Sequence, residues 1–276
     1  MDNFEIVEKI SKLIDYNSRS WNKERIDRYL LKYDSERIIE CMTIVHMKDT
    51  IPVDLTIEIS NMYNCVVGCR FCASGSLPET NIFLTAEDYM KQVETCLKYS
   101  NENPNNYPNF YIAFTGIGEP SIVKEQIAKG INIIKKKYSN VQVNIATTAF
   151  DNTCFDYWDS MNLPIRTLQL PYYSCDYNKL KYIIQNLPTN YDLTENIAKA
   201  IKYKKNHVNC RVKVNFVVIN DINSSKDDVF KMLNYLSKFK NDIIIKISFL
   251  NYTKKCQENN LSSPNDDRML EIVNQV

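Results

Sequence analysis

The stretch from Cys65 to Cys72 reads Cys-Val-Val-Gly-Cys-Arg-Phe-Cys and places three cysteines in the spacing C-x3-C-x2-C. It follows an apolar, β-branched run at residues 53–59, so the thiols stand in a short loop after a predicted strand. Thiolates this close in sequence can converge on one compact ligand. Three of them on a four-iron cluster leave the fourth iron open for a small molecule. The spacing therefore indicates an iron–sulfur site.

A zinc site and three unrelated thiols are the alternatives. Zinc normally takes four ligands, often from paired C-x2-C units or from histidines nearby. The chain has two histidines, His46 and His207, and both are far from the cysteines in sequence. We therefore favour the iron–sulfur interpretation over the other two.

A second stretch, Thr115-Gly-Ile-Gly-Glu-Pro120, contains two of the five glycines of the chain, Gly116 and Gly118. An ordinary turn between a strand and a helix is one interpretation of it. The other is a flexible loop that lets Glu119 approach a bound cation. Ligands of parallel α/β folds bind beyond the carboxyl ends of the strands, where both stretches are predicted to lie. We therefore expect the two stretches to form one site.

The elements that position these stretches alternate from residue 53 onward. The predicted strands cover residues 53–59, 110–115, 141–147, 166–170, 212–219 and 243–249. The predicted helices cover residues 86–99, 121–138, 155–161, 193–204, 225–239 and 266–274. The strands are rich in Ile, Val and Phe, as is typical of a buried parallel sheet, and six strand–helix units predict an α/β domain. A doubly wound sheet and a barrel both satisfy this pattern.

The first 52 residues are expected to form an extension of this domain. Ile6, Ile10 and Ile14 recur at helical spacing and predict a helix. Two strand-like runs at residues 29–33 and 38–45 predict a hairpin. The predicted organisation is a helical and hairpin extension over residues 1–52 and the α/β domain over residues 53–276.

Composition and charge restrict the class of protein. The hydrophobic share is 44% and the charged share 24%, as in ordinary globular domains, and no apolar run is long enough to span a bilayer. Nine cysteines without a signal peptide favour the reducing cytoplasm. A net charge of +1 does not favour extended binding to nucleic acid, although it does not exclude it.

The cysteine spacing with an aromatic residue before the third cysteine resembles the radical S-adenosylmethionine (SAM) superfamily. Together with the Gly-x-Gly-Glu-Pro stretch, it is similar to the ribosomal-RNA adenine methyltransferases of the RlmN/Cfr type, over about residues 28 to 275. This resemblance implies a partial (β/α)6 barrel that is open at one side. It also implies a [4Fe–4S] cluster, SAM bound to the open iron, and an electron donor such as flavodoxin or ferredoxin.

The resemblance also implies roles for single residues. Cys65, Cys69 and Cys72 would bind the cluster. The residues implied in binding SAM are Phe71, Gly116, Gly118, Glu119, Thr147, Tyr172 and Asn251. Tyr172 lies in a stretch that differs from the family's, so a place in the core is its alternative.

Two departures concern the methylation chemistry of that family. Glu58 stands where the family has a cysteine seven residues before the first cluster ligand, and no match to its C-terminal methyl-carrying cysteine is found. We therefore expect a radical-SAM enzyme that forms a 5′-deoxyadenosyl radical and acts on a small molecule, a nucleotide or a peptide. Candidate residues on the substrate side are Glu58, Cys175 and Asn215, each with a purely structural role as its alternative.

Two other functions remain open. One is an RNA adenine methyltransferase of the RlmN/Cfr type in which Cys256 or Cys175 replaces a missing cysteine. The other is a cluster protein without enzymatic activity, which carries electrons or senses oxygen. The second alternative would have no need of Gly116, Gly118 and Glu119, so it is the weaker of the two.

Overall fold

One mixed sheet of nine strands runs through the protein, and its strands follow one another in chain order. The structure, a computed structural model, describes residues 4–16, 20–76 and 82–276. The strands are β1 (Glu5–Asp15), β2 (Lys23–Lys32), β3 (Ile38–Lys48), β4 (Ile51–Ile59), β5 (Asn109–Phe114), β6 (Val141–Ala146), β7 (Ile165–Tyr172), β8 (Arg211–Val218) and β9 (Ile243–Phe249). The α-helices are α1 (Ala86–Ser100), α2 (Lys124–Lys137), α3 (Thr153–Ser160), α4 (Tyr177–Ile183), α5 (Leu193–Asn206), α6 (Lys226–Ser237), α7 (Lys254–Glu258) and α8 (Asp266–Gln275).

Strands β4 to β9 are parallel, and a helix follows each of them, as the sequence predicts. Because neighbouring strands are also consecutive in the chain, this half lacks the reversal of strand order that defines a doubly wound sheet. Helices α1, α5 and α6 begin within one residue of their predicted starts, where Thr85, Asp192 and Ser225 each cap a helix with a side-chain oxygen. The predicted α/β class with a mostly parallel sheet is confirmed.

The two faces of the parallel half differ in polarity. On β4, Leu55, Ile57 and Ile59 are fully buried on the face that packs against the helices. The alternate residues face the other way and line a cavity, so we call that side the cavity face. Glu58 of β4 and Asn215 of β8 belong to it.

The helix predicted near the N-terminus is wrong, because the residues there form strand β1. Ile6, Ile10 and Ile14 are four residues apart, which suits a helix. In the strand, Ile10 and Ile14 share one face, whereas a β-bulge between Ile6 and Glu8 turns Ile6 to the other face, against the core. The cross-strand pairs with β2 decide between these possibilities. The predicted hairpin is found as β2 and β3, both longer than expected.

The antiparallel strands β1 to β4 join the parallel half through β4 and are packed under helix α1. Strand pairing runs from β3 to β4 across residue 52, where the sequence predicts a boundary. The backbone N–H of Phe4 donates a hydrogen bond of 3.2 Å to Thr95 of α1, and the Phe4 side chain is buried. The division into two domains stays a prediction. Over the described ranges, no helix has both the length and the apolar character needed to cross a bilayer.

Candidate active site

A cavity of about 490 Å³ opens at the carboxyl ends of the parallel strands. Each of the six strands, or the residues that directly follow it, contributes to the lining: Glu58, Thr115, Thr147, Gln169, Asn215 and Lys246. The cysteine loop (residues 65–72) contributes Phe71. The structure thus brings together residues that are distant in sequence, at the edge of the sheet where parallel folds bind their ligands.

The cysteine loop holds its three thiols close to one another. The backbone N–H of Cys72 donates a 3.0 Å hydrogen bond to the carbonyl of Cys69, which closes a tight turn between them. Burial raises the pKa of the Cys65 thiol to about 12, although N–H groups of Val67 and Gly118 act in the opposite direction. Burial, together with the nearby thiols of Cys72 and Cys65, raises the pKa of Cys69 well above its usual value. A cationic ligand would offset both effects, so these residues fit a metal cluster.

A single metal ion and a four-iron cluster make different demands on three thiolates. Within the described part of the chain, no three His, Cys, Asp or Glu side chains are arranged to hold one metal ion. Ligands of a single zinc ion must converge on one atom. A four-iron cluster instead presents separate irons to its three thiolates, so its ligands need not converge on one point.

The segment after helix α4 holds the cysteine loop from one side. The N–H of Arg70 donates to the carbonyl of Ile183 at 2.9 Å, and the side-chain amide of Asn186 donates to the carbonyl of Val66 at 2.7 Å. Sequence reasoning missed this helix. The sequence does contain signals for helix α4. The side chain of Asp176 accepts hydrogen bonds from two backbone N–H groups at its start, and apolar residues lie near its end.

Helix α7, which sequence reasoning also missed, holds the loop from the other side. The Thr253 hydroxyl donates to the carbonyl of Phe71 at 2.6 Å, and the Asn259 side-chain amide donates to the carbonyl of Arg70 at 3.0 Å. Cys256 is fully buried, and its thiol faces the carbonyls of Phe71 and Asn251. Thr253, an N-cap residue, was the available signal.

Glu119 lies between the two stretches that the sequence singled out. Its carboxylate is 3% exposed and accepts hydrogen bonds from the N–H and hydroxyl of Ser121, from the Thr147 hydroxyl, and from the N–H and hydroxyl of Thr148. Its charge contributes to the raised pKa of Cys65, so the two stretches do form one site. None of the described lysines, arginines or histidines forms an ion pair with it.

The glycines next to Glu119 are required by the close approach of two loops. A Cβ atom at Gly116 would lie 2.8 Å from the carbonyl oxygen of Ile59, at the end of β4. Gly118 has a φ of +113°, and a Cβ there would lie 2.9 Å from atoms of Met62. The loop after β5 can therefore pack against the chain that leads to the cysteines only if both positions are glycine.

The other predicted SAM contacts divide into two groups. Phe71, Thr147 and Asn251 line the cavity. Tyr172 does not, because it lies on the helix side of β7 and packs against Phe216 and Tyr235. The next residue, Tyr173, lines the cavity instead, with its ring centre 5.5 Å from that of Phe71.

The substrate-side candidates also divide. Glu58 and Asn215 line the cavity; the Glu58 carboxylate accepts a hydrogen bond from Thr115, and Asn215 accepts one of 2.7 Å from Ser248. Cys175 is exposed on the turn after β7 and does not line the cavity. Cys256 lies behind the cysteine loop rather than in the cavity.

Comparison with known proteins finds relatives of this chain among proteins named as RNA methyltransferases. The chain is 21% identical over 279 residues to a probable dual-specificity RNA methyltransferase RlmN of Malacoplasma penetrans, a match that covers 98% of this chain and 75% of that protein. It is 25% identical over 221 residues to the protein of the same name from Clostridium beijerinckii, covering 79% of this chain but 58% of that protein. No protein-family profile matches it.

A solved structure shares the fold of this chain. The radical SAM methyltransferase from Sphaerobacter thermophilus superimposes with a TM-score of 0.76 at 18% identity, over 98% of this chain and 72% of that one. The predicted resemblance to the radical-SAM superfamily, and within it to the RlmN type, is confirmed.

Proposed function

We propose that this chain is a radical-SAM enzyme in which Cys65, Cys69 and Cys72 bind a [4Fe–4S] cluster and SAM binds beside it in the cavity. When bound, the two cofactors supply the reductive cleavage of SAM to methionine and a 5′-deoxyadenosyl radical. The observation that carries this proposal is Glu119, a buried carboxylate that has no cationic partner among the described residues, lies next to the cysteine loop and faces the cavity.

The residues around Glu119 would orient SAM. The carboxylate would hold the cationic amino group of SAM, because its five hydrogen bonds fix its position without neutralising its charge. Thr147 and Asn251, which both line the cavity, would contact the ribose, carboxylate or adenine. Phe71 and Tyr173 would cover the apolar parts of the cofactor and exclude water.

The parallel half of the sheet is proposed to form the partial (β/α)6 barrel that the resemblance implies. Six consecutive strands contribute to one cavity, which a flat sheet of that width could not enclose. Glu58 and Asn215 on the cavity face would lie on the substrate side of SAM. Electrons would come from a donor such as flavodoxin or ferredoxin.

Anaerobic reconstitution tests the proposed function. The protein is loaded with iron and sulfide, reduced with dithionite and incubated with SAM, and 5′-deoxyadenosine is measured together with iron content. We expect 5′-deoxyadenosine from the unaltered protein and from Cys175→Ala, whose thiol lies outside the cavity, but none from Cys69→Ala. A protein that takes up no iron, or that cleaves no SAM when loaded, would contradict the proposal.

RNA adenine methylation is the second candidate, because the relatives from both bacteria are named RNA methyltransferases. The cavity offers Glu58 in place of a thiol, and neither Cys175 nor Cys256 lines it. We therefore place methylation second. Incubation with SAM and ribosomal RNA, followed by mass spectrometry of the cysteine peptides, distinguishes the two: a methylated cysteine and methylated RNA would support the second candidate.

A further inference from the structure

Four cations gather where β7, β8 and β9 lie side by side: Arg166, Arg211, Lys213 and Lys246, which we call the cation cluster. Arg211 and Lys213 alternate along β8 with residues that face the helices, so they share the cavity face with Asn215. Lys246 is the register partner of Asn215 on β9. Residues far apart in sequence thus meet through the register of the sheet.

The members of the cation cluster repel one another, and the two carboxylates in the lining that Lys246 shares are Glu58 and Glu119. Burial lowers the pKa of Lys213, and the charges of Lys246, Arg211 and Arg166 lower it further. Among the described residues, none of the four forms an ion pair with an aspartate or a glutamate. Holding like charges together costs free energy, and an anionic ligand would relieve that cost, although solvent screens it at the exposed Arg211 and Lys246.

The antiparallel half of the same sheet shows that cations without an acidic partner are not a general property of the fold. On β2 to β4, Arg28 pairs with Glu40, and His46 lies 2.8 Å from Glu24 and 3.7 Å from Asp54. Arg28 and His46 therefore have acidic partners within the protein. The four members of the cation cluster have no such pair among the described residues.

The cation cluster is continuous with the proposed active site. Lys246 lines the cavity together with Asn215 and Gln169, and Gln169 is the register partner of Lys213. The Asn215 side-chain oxygen accepts a hydrogen bond from the Ser248 hydroxyl. Because its oxygen is thus engaged, the two N–H groups of the Asn215 amide point elsewhere and can donate to a ligand. A ligand in this part of the cavity would therefore meet the Lys246 ammonium group and neutral amide donors, with Lys213 on the neighbouring strand beside Gln169.

We propose that the cation cluster binds a phosphate group of the substrate, so that the compound attacked by the radical is phosphorylated. This inference rests on the proposed function, because it concerns the same cavity. A phosphate group carries up to two negative charges and three acceptor oxygens, which suits several cations better than the single charge of a carboxylate.

Calorimetry on the reconstituted protein tests the inference, with inorganic phosphate and pyrophosphate as probes and succinate as a carboxylate control. We expect phosphate and pyrophosphate to bind more tightly than succinate. The double variant Lys213→Gln, Lys246→Gln should weaken pyrophosphate binding by about tenfold or more. Lys129→Gln, which removes an exposed lysine from α2, should leave binding unchanged. Equal binding of succinate, or equal pyrophosphate affinity in the double variant, would overturn the inference.

Thermal unfolding provides a second measurement that does not depend on catalysis. The double variant should melt higher than the unaltered protein in phosphate-free buffer, because like charges have been removed, and pyrophosphate should no longer raise its melting temperature. A double variant that melts lower and still gains stability from pyrophosphate would contradict the inference.

Formation of 5′-deoxyadenosine separates this inference from the proposed function. The double variant should still cleave SAM without substrate and should bind SAM with unchanged affinity. If its SAM affinity falls together with its pyrophosphate affinity, the cations hold the carboxylate of SAM and the phosphate inference is wrong. If the unaltered protein cleaves no SAM, the proposed function fails even where pyrophosphate binds as expected.

Discussion

Glu119 combines two properties that rarely occur together in a folded protein. Its carboxylate is almost fully buried, and every hydrogen bond it accepts comes from a neutral group of Ser121, Thr147 or Thr148. Such bonds stabilise the charge without removing it, so the residue keeps a negative potential at the wall of the cavity. A cationic ligand gains from this potential, and the amino group of SAM is the cation that the proposed function provides.

Glu119→Gln keeps the size of the side chain and removes its charge. We expect the affinity for SAM to fall about tenfold or more, since a charge-assisted hydrogen bond is lost. Titration of the reconstituted protein with SAM measures this, and iron content should stay unchanged because Glu119 is not a cluster ligand. Glu125→Gln, an exposed acid in the first turn of α2, is the matched control. Unchanged SAM affinity in Glu119→Gln would exclude the assigned role.

Glu58 gives a prediction with a defined pH dependence. Burial and the charge of Glu40 raise its pKa above the usual value, although the hydrogen bond from Thr115 acts in the opposite direction. The ionised form is therefore disfavoured in the folded state, and this cost disappears as the pH falls through the raised pKa. Glu58→Gln should raise the melting temperature of the cofactor-free protein at pH about 8, and the gain should shrink toward pH about 5.

Melting curves of Glu58→Gln across that pH range check the sign of this effect. Glu125→Gln should show no comparable trend, because its carboxylate is exposed. A Glu58→Gln variant that is less stable than the unaltered protein at the higher pH would show that the ionised carboxylate is stabilised by contacts that outweigh its burial.

The cysteine loop depends on two short helices for its shape. Helix α4 has seven residues and helix α7 has five, and the polar groups at or just beyond their ends hydrogen-bond the loop backbone on opposite sides. An isolated helix of this length would not be stable, so these elements exist because they pack against the loop. They set the separation of the thiols in return.

Asn186→Ala tests this dependence. Its side-chain amide donates to the carbonyl of Val66, and loss of one such bond should cost about 1 kcal/mol of stability. We expect faster amide hydrogen exchange at residues 66–70 and less iron bound after reconstitution. Gln185→Ala is the matched control, because the side chain of Gln185 lies at the surface. Equal exchange rates and iron content in both variants would show that the loop keeps its shape without this contact.

The sequence predicts long elements better than short ones. The six parallel strands were predictable because runs of Ile, Val and Phe mark buried strands. Helices α4 and α7 were missed because one or two turns carry too few residues to show a period. Strand β1 was predicted as a helix because the spacing of four between Ile6, Ile10 and Ile14 suits a helix, and neither its pairing with β2 nor its bulge after Ile6 can be seen in the sequence.

The site was predictable where its residues are neighbours in sequence. The cysteines and the Gly-x-Gly-Glu stretch are local patterns. Whether Tyr172 or Tyr173 faces the cavity is not, because a shift of one residue in the strand register exchanges the faces on which the two side chains lie. The cation cluster could not be predicted, because its members come from three strands separated by long stretches of chain. Only the order and register of the sheet bring them together.

At the scale of the whole molecule, hydrogen bonds continue from β1 to β9 without interruption. The antiparallel strands are fixed to the helix layer by Phe4, which is 8% exposed and packs beside Tyr33. Phe4→Ala should therefore destabilise the entire protein by about 3 kcal/mol, while Val7→Ala, with its side chain 53% exposed, should change little.

The two tryptophans make this prediction measurable in each half of the sheet. Trp21 stacks on His46 in the antiparallel part, with ring centres 4.2 Å apart, and Trp158 is fully buried in α3. Variants with one tryptophan replaced by Phe report on one half at a time. Because the halves share one sheet, both reporters should give the same unfolding midpoint, and Phe4→Ala should lower both equally. A Trp21 transition that precedes the Trp158 transition would instead show that residues 1–52 unfold as a separate unit.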